Sequence, residues 1–304
     1  MSAQAPTEPV SLNRDSVFLY ITIVVIWGLS WLPLKYQVGV VEPPVSIAYR
    51  FFAASAIMFV IAYWKKQPLK FTSAYHLRFA LLGICIFSSN FMLFYYASSY
   101  LVSGILSIIF ATATLFNVLN ARLWLKTKTN GRTILGVILG LFGLCLVFWP
   151  EVQNSYETGN TPLFGLALCL GGTFCFSSGN IVSLSLQKQS ISLVSATSWG
   201  MLYGALFMSG IALCFGMKFT FDPNWTYVIS LVYLIFFASV IAFLTYLTLL
   251  KQIGPSRAAY ATILFPVCAL LLSTFVEDYQ WTWIAALGVT IILCGNILVL
   301  KQKS

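Results

Sequence analysis

The stretch Pro162–Gln187, PLFGLALCLGGTFCFSSGNIVSLSLQ, decides how the rest of this 304-residue chain is read. It is apolar for long enough to cross a hydrocarbon layer ~30 Å thick, which takes about 20 mostly apolar residues as a helix. It also begins a hydrophobic pattern that the chain has already run through once. Five apolar runs precede it, at 17–36, 44–64, 79–98, 101–124 and a fifth ending at 149. Five more follow from it, at 162–187, 192–215, 225–250, 255–276 and 281–300. An odd number of spans per half forces the second half to enter the membrane from the opposite side. The expected fold is therefore an all-α membrane protein with ten transmembrane helices arranged as two inverted five-helix repeats. Its divisions are a cytoplasmic tail (1–16), a first repeat (17–149), an outer linker (150–161), a second repeat (162–300) and a short cytoplasmic tail (301–304).

Composition excludes an ordinary soluble domain. Apolar residues make up 59% of the chain and charged residues 8%, against about 25% charged in a soluble protein. Ten spans and short loops leave no room for a separate soluble domain. The formal charge of +9 is not a nucleic-acid signal, because the basic residues sit in short loops between spans. All 17 Lys and Arg except Lys35, Arg50 and Lys218 fall on one side of the alternating spans, with both chain ends. The other side carries Glu42, Glu151, Glu157, Asp222, Glu277 and Asp278. The positive-inside rule then puts both termini in the cytoplasm of a multi-pass plasma-membrane protein, a bacterial inner membrane being the expected site. The first apolar run is of span length and lacks a small-residue cleavage site, so it reads as an uncleaved helix. The seven cysteines lie within spans and read as small core residues, with no metal-ligand spacing.

The repeat leaves traces in the residues. Phe87, Ser89 and Tyr96 recur as Phe237, Ser239 and Tyr246. Leu135, Gly136, Val137, Gly143 and Val147 recur in the same order as Leu287, Gly288, Val289, Gly295 and Val299. Apolar identities are cheap in membrane spans, but these keep order and nearly one offset across two pairs of spans.

Residues that could meet a ligand are those whose polarity or shape is costly in hydrocarbon. Asn90 and Asn180 lie near mid-span, and Ser103, Ser107, Thr114 and Asn117 share one face of the fourth span. Small polar residues often only tie helices together, at about 0.6 kcal/mol per hydrogen bond; Asn, with donor and acceptor, also suits a cavity wall. Trp27 is a mid-span Trp beside Gly28 and Ser30, whereas Trp124, Trp149, Trp225 and Trp281 stand at span ends as interfacial belts do. The candidate substrate contacts are Trp27, Ser30, Asn90, Phe94, Ser107, Phe110, Thr114, Phe176, Asn180 and Tyr246. Lys35 and Arg50 are the basic residues drawn into spans toward the outer side. They either snorkel, pair with Glu42 and helix carbonyls, or offer a cationic surface to a departing carboxylate. Pro33 and Pro266 interrupt helices and free backbone carbonyls, which a membrane tolerates only where neighbours or a cavity satisfy them.

The segment 26–35, IWGLSWLPLK, resembles the first helix of the EamA-type branch of the drug/metabolite transporter superfamily, through Trp27, Gly28, Ser30 and Lys35. Pro44 and Arg50 resemble the opening of that family's second helix, and Pro266, Glu277, Gly288 and Gly295 its second-half pattern. Asp278 stands where the family favours Arg, Leu125 where a Glu is expected and Thr114 where a Pro would fall. The resemblance implies two inverted five-helix bundles and export of amino acids or other small metabolites.

The functional expectation is a secondary transporter working by alternating access, with helices 1, 3, 4, 6, 8 and 9 lining the path. A drug or nucleobase carrier of the same fold is the second reading, since aromatic walls suit both. A membrane-embedded lipid enzyme is a remote third, because one His and no nucleophile–base set leave little to build with. No cofactor, catalytic residue or metal is implied. The partners expected are a small-molecule substrate and the lipid bilayer, not nucleic acid, with a monomer sufficient. No acidic residue or His lies deep in a span, which favours facilitated efflux or exchange over a proton-driven cycle.

Overall fold

The computed structural model describes residues 14–126, 131–158, 161–253 and 261–300. Every regular element among them is a helix. Eight helices are long and apolar enough to cross a membrane, and two shorter apolar ones, Leu264–Val276 and Trp283–Leu298, hold the ninth and tenth places. The tail residues 1–13 and 301–304, and Lys128 and Arg257 of the charge pattern, lie outside the described residues.

Spans 1 to 5 begin at Arg14, Pro43, Ser73, Ser103 and Gly131, and spans 6 to 10 at Pro162, Leu193, Trp225, Ala261 and Trp283. The sixth keeps the bounds read from sequence, Pro162–Gln187, with Pro at its first turn where a missing N–H costs nothing. The fifth runs further than expected. It continues as Gly131–Thr158 with Pro150 inside, so most of the segment read as an outer linker is helical.

Packing follows an internal two-fold. Span 5 lies on span 10, span 2 on span 7 and span 4 on span 9; span 1 meets spans 8 and 9, as span 6 meets spans 3 and 4. Exchanging each span for the one five places on leaves this pattern unchanged. The glycines read as a sequence repeat make the symmetry atomic. A Cβ on Gly143 would sit 2.7 Å from the Gly288 carbonyl oxygen, and one on Gly295 2.7 Å from that of Gly136. Early residues of span 5 thus meet late residues of span 10, so the two helices run antiparallel at a distance that only glycine permits.

Several spans are broken near their middles, which hydropathy does not reveal. Span 1 consists of Arg14–Leu29 and Trp31–Lys35, separated at Ser30. Pro33 has no N–H to give the carbonyl of residue 29, so the ladder fails one turn before it. Spans 3 and 8 each contain a π-helical segment, Gly83–Ser89 and Leu234–Ile241. Phe87 and Ser89 fall in one and their repeat mates Phe237 and Ser239 in the other. In span 3 the Ser88 hydroxyl lies within hydrogen-bond reach of the Gly83 and Ile84 carbonyls, 2.9 and 2.8 Å away, satisfying groups the wider turn releases. Span 4 breaks at Thr112, between Ser103–Ala111 and Ala113–Leu125. Spans 2, 6 and 7 are continuous.

Candidate functional site

Broken spans 1, 3, 4 and 8 and unbroken spans 6 and 9 bring their aromatic residues together where the halves meet. Phe176 of span 6 lies 4.7 Å from Phe110 of span 4, ring centre to ring centre. Phe110 is 5.5 Å from Trp31 and 5.7 Å from Phe94. Trp31 stacks on Phe265 at 6.3 Å, Phe265 stands edge-on to Trp27 at 6.4 Å, and Trp27 meets Tyr246 at 5.5 Å. These contacts form a continuous belt of rings from span 6 across spans 4, 1 and 9 to span 8. The centroid distances lie in the range where aromatic pairs attract.

Hydrogen bonds fix span 1 within this belt. The Trp27 indole N–H donates to the Ala238 carbonyl in the π-helical segment at 3.3 Å, and the Tyr233 hydroxyl donates to Ile26 at 2.9 Å. Ser30 donates to its own Trp27 carbonyl at 2.8 Å, closing the helix break. Gly28 lets span 9 approach: a Cβ there would lie 2.6 Å from Cys268 Cβ and 3.0 Å from the Phe265 carbonyl oxygen.

Toward the face that carries the chain ends, the belt gives way to polar groups. Asn180 donates to Asn117 Oδ1 at 3.2 Å, joining spans 6 and 4. Asn120 donates to Ser177 at 2.9 Å and lies 3.3 Å from Ser178. Asn90 sits one helical turn from Phe94 on the same face of span 3. Its amide donates to the Ile86 carbonyl at 3.3 Å, while its Oδ1 is buried with no partner.

The sequence reading therefore assembles in part. Trp27, Ser30, Phe94, Phe110, Phe176, Tyr246, Asn90 and Asn180 gather at or beside the belt. Thr114 is buried just past the span 4 break. Ser107 is wholly buried and donates to the Gly104 carbonyl at 2.6 Å. Asn117, read as part of the polar face of the fourth span, joins the site, and Trp31, Phe265 and Asn120 join it without having been singled out. Phe265 had one available signal, its place beside Pro266; the break expected at that proline does not occur, since span 9 runs through it as one helix, Ala261–Val276.

Lys35 and Arg50, expected as alternatives between snorkelling, a Glu42 partner and an open cationic surface, take separate places. Lys35 pairs with Glu277 across 242 positions, Nζ to Oε1 at 2.6 Å. The other carboxylate oxygen of Glu277 accepts from the Ser103 backbone N–H at 2.9 Å, from the Ser103 hydroxyl, and from the Ser273 hydroxyl at 2.8 Å. One carboxylate thus ties spans 1, 4 and 9 together at the face away from the chain ends. Burial alone raises its pKa, but the hydrogen bonds from Lys35, Ser103 and Ser273 outweigh that and hold it below the ordinary carboxylate range. Arg50 neither snorkels nor pairs with Glu42. It is buried in span 2, Glu42 is exposed, and its Nε donates to Ser239 Oγ at 3.0 Å.

Exposure is uneven along the path. On the side away from the chain ends Trp31, Leu34, Leu101, Ser103 and Phe94 are buried. On the side of the chain ends Trp27, Asn117, Phe176, Asn180, Phe243 and Tyr246 are only partly so. Burial is thus more complete in the half away from the chain ends.

Ten spans in two antiparallel halves around a central path are the architecture of a multi-pass membrane transporter. The profile of the EamA-like transporter family matches this chain twice, over residues 15–149 and 163–301, and the chain belongs to that family. It is 25% identical over 279 residues to the uncharacterized transporter YoaV of Bacillus subtilis (strain 168), covering 90% of this chain and 93% of that one. It is 24% identical over 307 residues to a probable amino-acid metabolite efflux pump of Escherichia coli (strain K12), covering 96% and 98%. A solved crystal structure shares the fold at a TM-score of 0.66 and 14% identity, over 93% of this chain and 95% of that one.

Proposed function

We propose that this transporter exports amino acids or related small metabolites across the plasma membrane, the bacterial inner membrane, by alternating access. One observation carries the reading. The belt of rings is sealed on its outer side by the Glu277 network, while its other side is partly exposed. This is the arrangement of a carrier open toward the side from which it loads. The basic loops support a cytoplasmic location for that side and both termini. The belt supplies flat apolar walls, and Asn117, Asn120 and Asn180 supply donors and acceptors for a polar backbone. The two five-helix halves are the moving units, and a monomer in the bilayer contains all of both. Relatedness to a probable amino-acid metabolite efflux pump supports the substrate class.

The test is flux in liposomes holding the purified protein, with a labelled amino-acid panel and nucleobases, with and without a pH gradient. Saturable amino-acid flux independent of the gradient is expected. Flux confined to nucleobases, which the aromatic belt also suits, replaces the substrate class. No flux of either overturns the reading.

A further inference from the structure

Spans 2 and 7 carry a repetition that the transport path does not use. Pro43–Trp64 and Leu193–Cys214 are each 22 residues long and begin 150 positions apart. They end alike. Lys66 and Gly216, at the same offset, both take left-handed backbone, φ 52° and 66°, which closes a helix over its last turn. The Gln67 N–H donates to the Ala62 carbonyl at 2.9 Å in one, and the Met217 N–H to that of Ala212 at 2.8 Å in the other. The faces match as well: Met58 and Ala62 of span 2 and their equivalents Met208 and Ala212 of span 7 are all 0% exposed.

The loop after each of these spans folds back onto the helix of the other half. At the face that carries the chain ends, the Trp199 indole of span 7 donates to the Leu69 carbonyl at 3.2 Å, and the Ser195 hydroxyl donates to that of Pro68 at 2.7 Å. At the opposite face, the Tyr49 hydroxyl of span 2 donates to the Thr220 carbonyl at 3.1 Å, and its ring lies 6.4 Å from that of Phe219. Tyr49 and Trp199 are themselves equivalent positions, and so are Leu69 and Phe219. One helix pair is thus latched at both faces by the same kind of bond, an aromatic donor on a loop carbonyl. The Glu277 network has no such counterpart. Span 9 runs into Glu277, whereas its equivalent, span 4, runs into residues 118–135, which contain no Asp or Glu.

Two inverted halves exchange their conformations when access alternates, so each contact passes to its counterpart at the other face. A contact already made at both faces is returned by that exchange as it was. A contact made at one face only must break. We propose that spans 2 and 7, with the loops that follow them, are the axle of the transport cycle. This pair stays latched at both faces while the path opens at one and closes at the other. The inference rests on the transport reading above.

The experiment bridges this pair at each face in purified full-length protein whose seven native cysteines are replaced. Tyr49→Cys with Thr220→Cys, and Leu69→Cys with Trp199→Cys, are joined by a short cleavable thiol reagent, and flux in liposomes is measured before and after. Flux is expected to be unchanged by bridging at either face. If the Trp199 variant does not fold, Pro68→Cys with Ser195→Cys takes its place at the same face. Flux that stops on bridging and returns on cleavage, at either face, overturns the proposal. Spin labels at the same pairs, and at Lys35 and Glu277, give a readout that needs no flux. One distance population at each pair between spans 2 and 7, beside two populations between Lys35 and Glu277, is the expected result. Two populations at a pair between spans 2 and 7, or one at every pair, overturns the proposal. A protein that carries no flux before bridging fails the transport reading, and the distances then decide the axle by themselves.

Discussion

Glu277 holds four hydrogen-bond donors from three spans, and its side chain is only 7% exposed. Its pKa is depressed in the folded protein, so the stability it contributes is present above the ordinary Glu range. That stability is lost only as pH falls through the lowered value. Tm measured against pH for the native protein and Glu277→Gln should therefore differ by a constant amount from neutral pH down to about pH 5, given an ordinary Glu pKa of about 4.3. The gap should close only in stronger acid. A gap that closes near neutral pH would show that another group governs this junction. Trp27 makes a second prediction at this scale. An aromatic contact contributes about 0.5–1.5 kcal/mol beyond burial, so Trp27→Ala should raise KM for a ring-bearing or branched substrate several-fold. Trp27→Phe, which loses the bond to Ala238 but keeps a ring, should stay closer to native. Equal KM values for both variants would remove Trp27 from the substrate contacts.

Among the elements, the crossing of span 1 on span 9 is sensitive to a single added methyl group. A Cβ at Gly28 would meet Cys268 Cβ and the backbone oxygen of Phe265, and a carbonyl on a helix cannot step aside as a side-chain tip can. Gly28→Ala is expected to destabilise the protein by about 1–3 kcal/mol, the usual cost of overpacking, and to slow transport. Adding Cys268→Gly should recover only part of the lost Tm, because the Phe265 oxygen stays. Full recovery would mean that the side-chain contact alone sets the spacing. The π-helical segments belong to this scale too. Their residues were visible as a repeat, Phe87 and Ser89 against Phe237 and Ser239, but the widened turn was not. Hydropathy averages over a span and carries no record of which carbonyl each N–H finds.

For the molecule as a whole, the proposed alternating access has the junction of spans 1, 4 and 9 open once per cycle. With the seven native cysteines replaced, Lys35→Cys and Glu277→Cys bridged by a short bifunctional thiol reagent should stop flux. Reduction should restore it if a cleavable bridge is used. Undiminished flux in fully bridged protein would rule out an outer gate at this place. The same pair left unbridged lacks the ion pair, and is expected to favour the outward-open form.

The number of spans, their order, the odd count per half and the family resemblance were legible in the linear chain. Each depends on one-dimensional quantities: how many apolar residues in a row cross the hydrocarbon, and how often that recurs. Even the glycines of spans 5 and 10 could be matched by offset. What they touch could not, and the structure alone showed Gly143 meeting Gly288 while Gly136 meets Gly295. The partners of the polar residues were equally hidden. Lys35 was read against Glu42, seven positions away, and found Glu277 instead. Arg50 was read as reaching outward and is buried against Ser239 of the opposite half. Such pairings follow from the rotation and depth of each helix against its neighbours. Those are set by side-chain packing and by where the ladder breaks, and only the assembled bundle decides them.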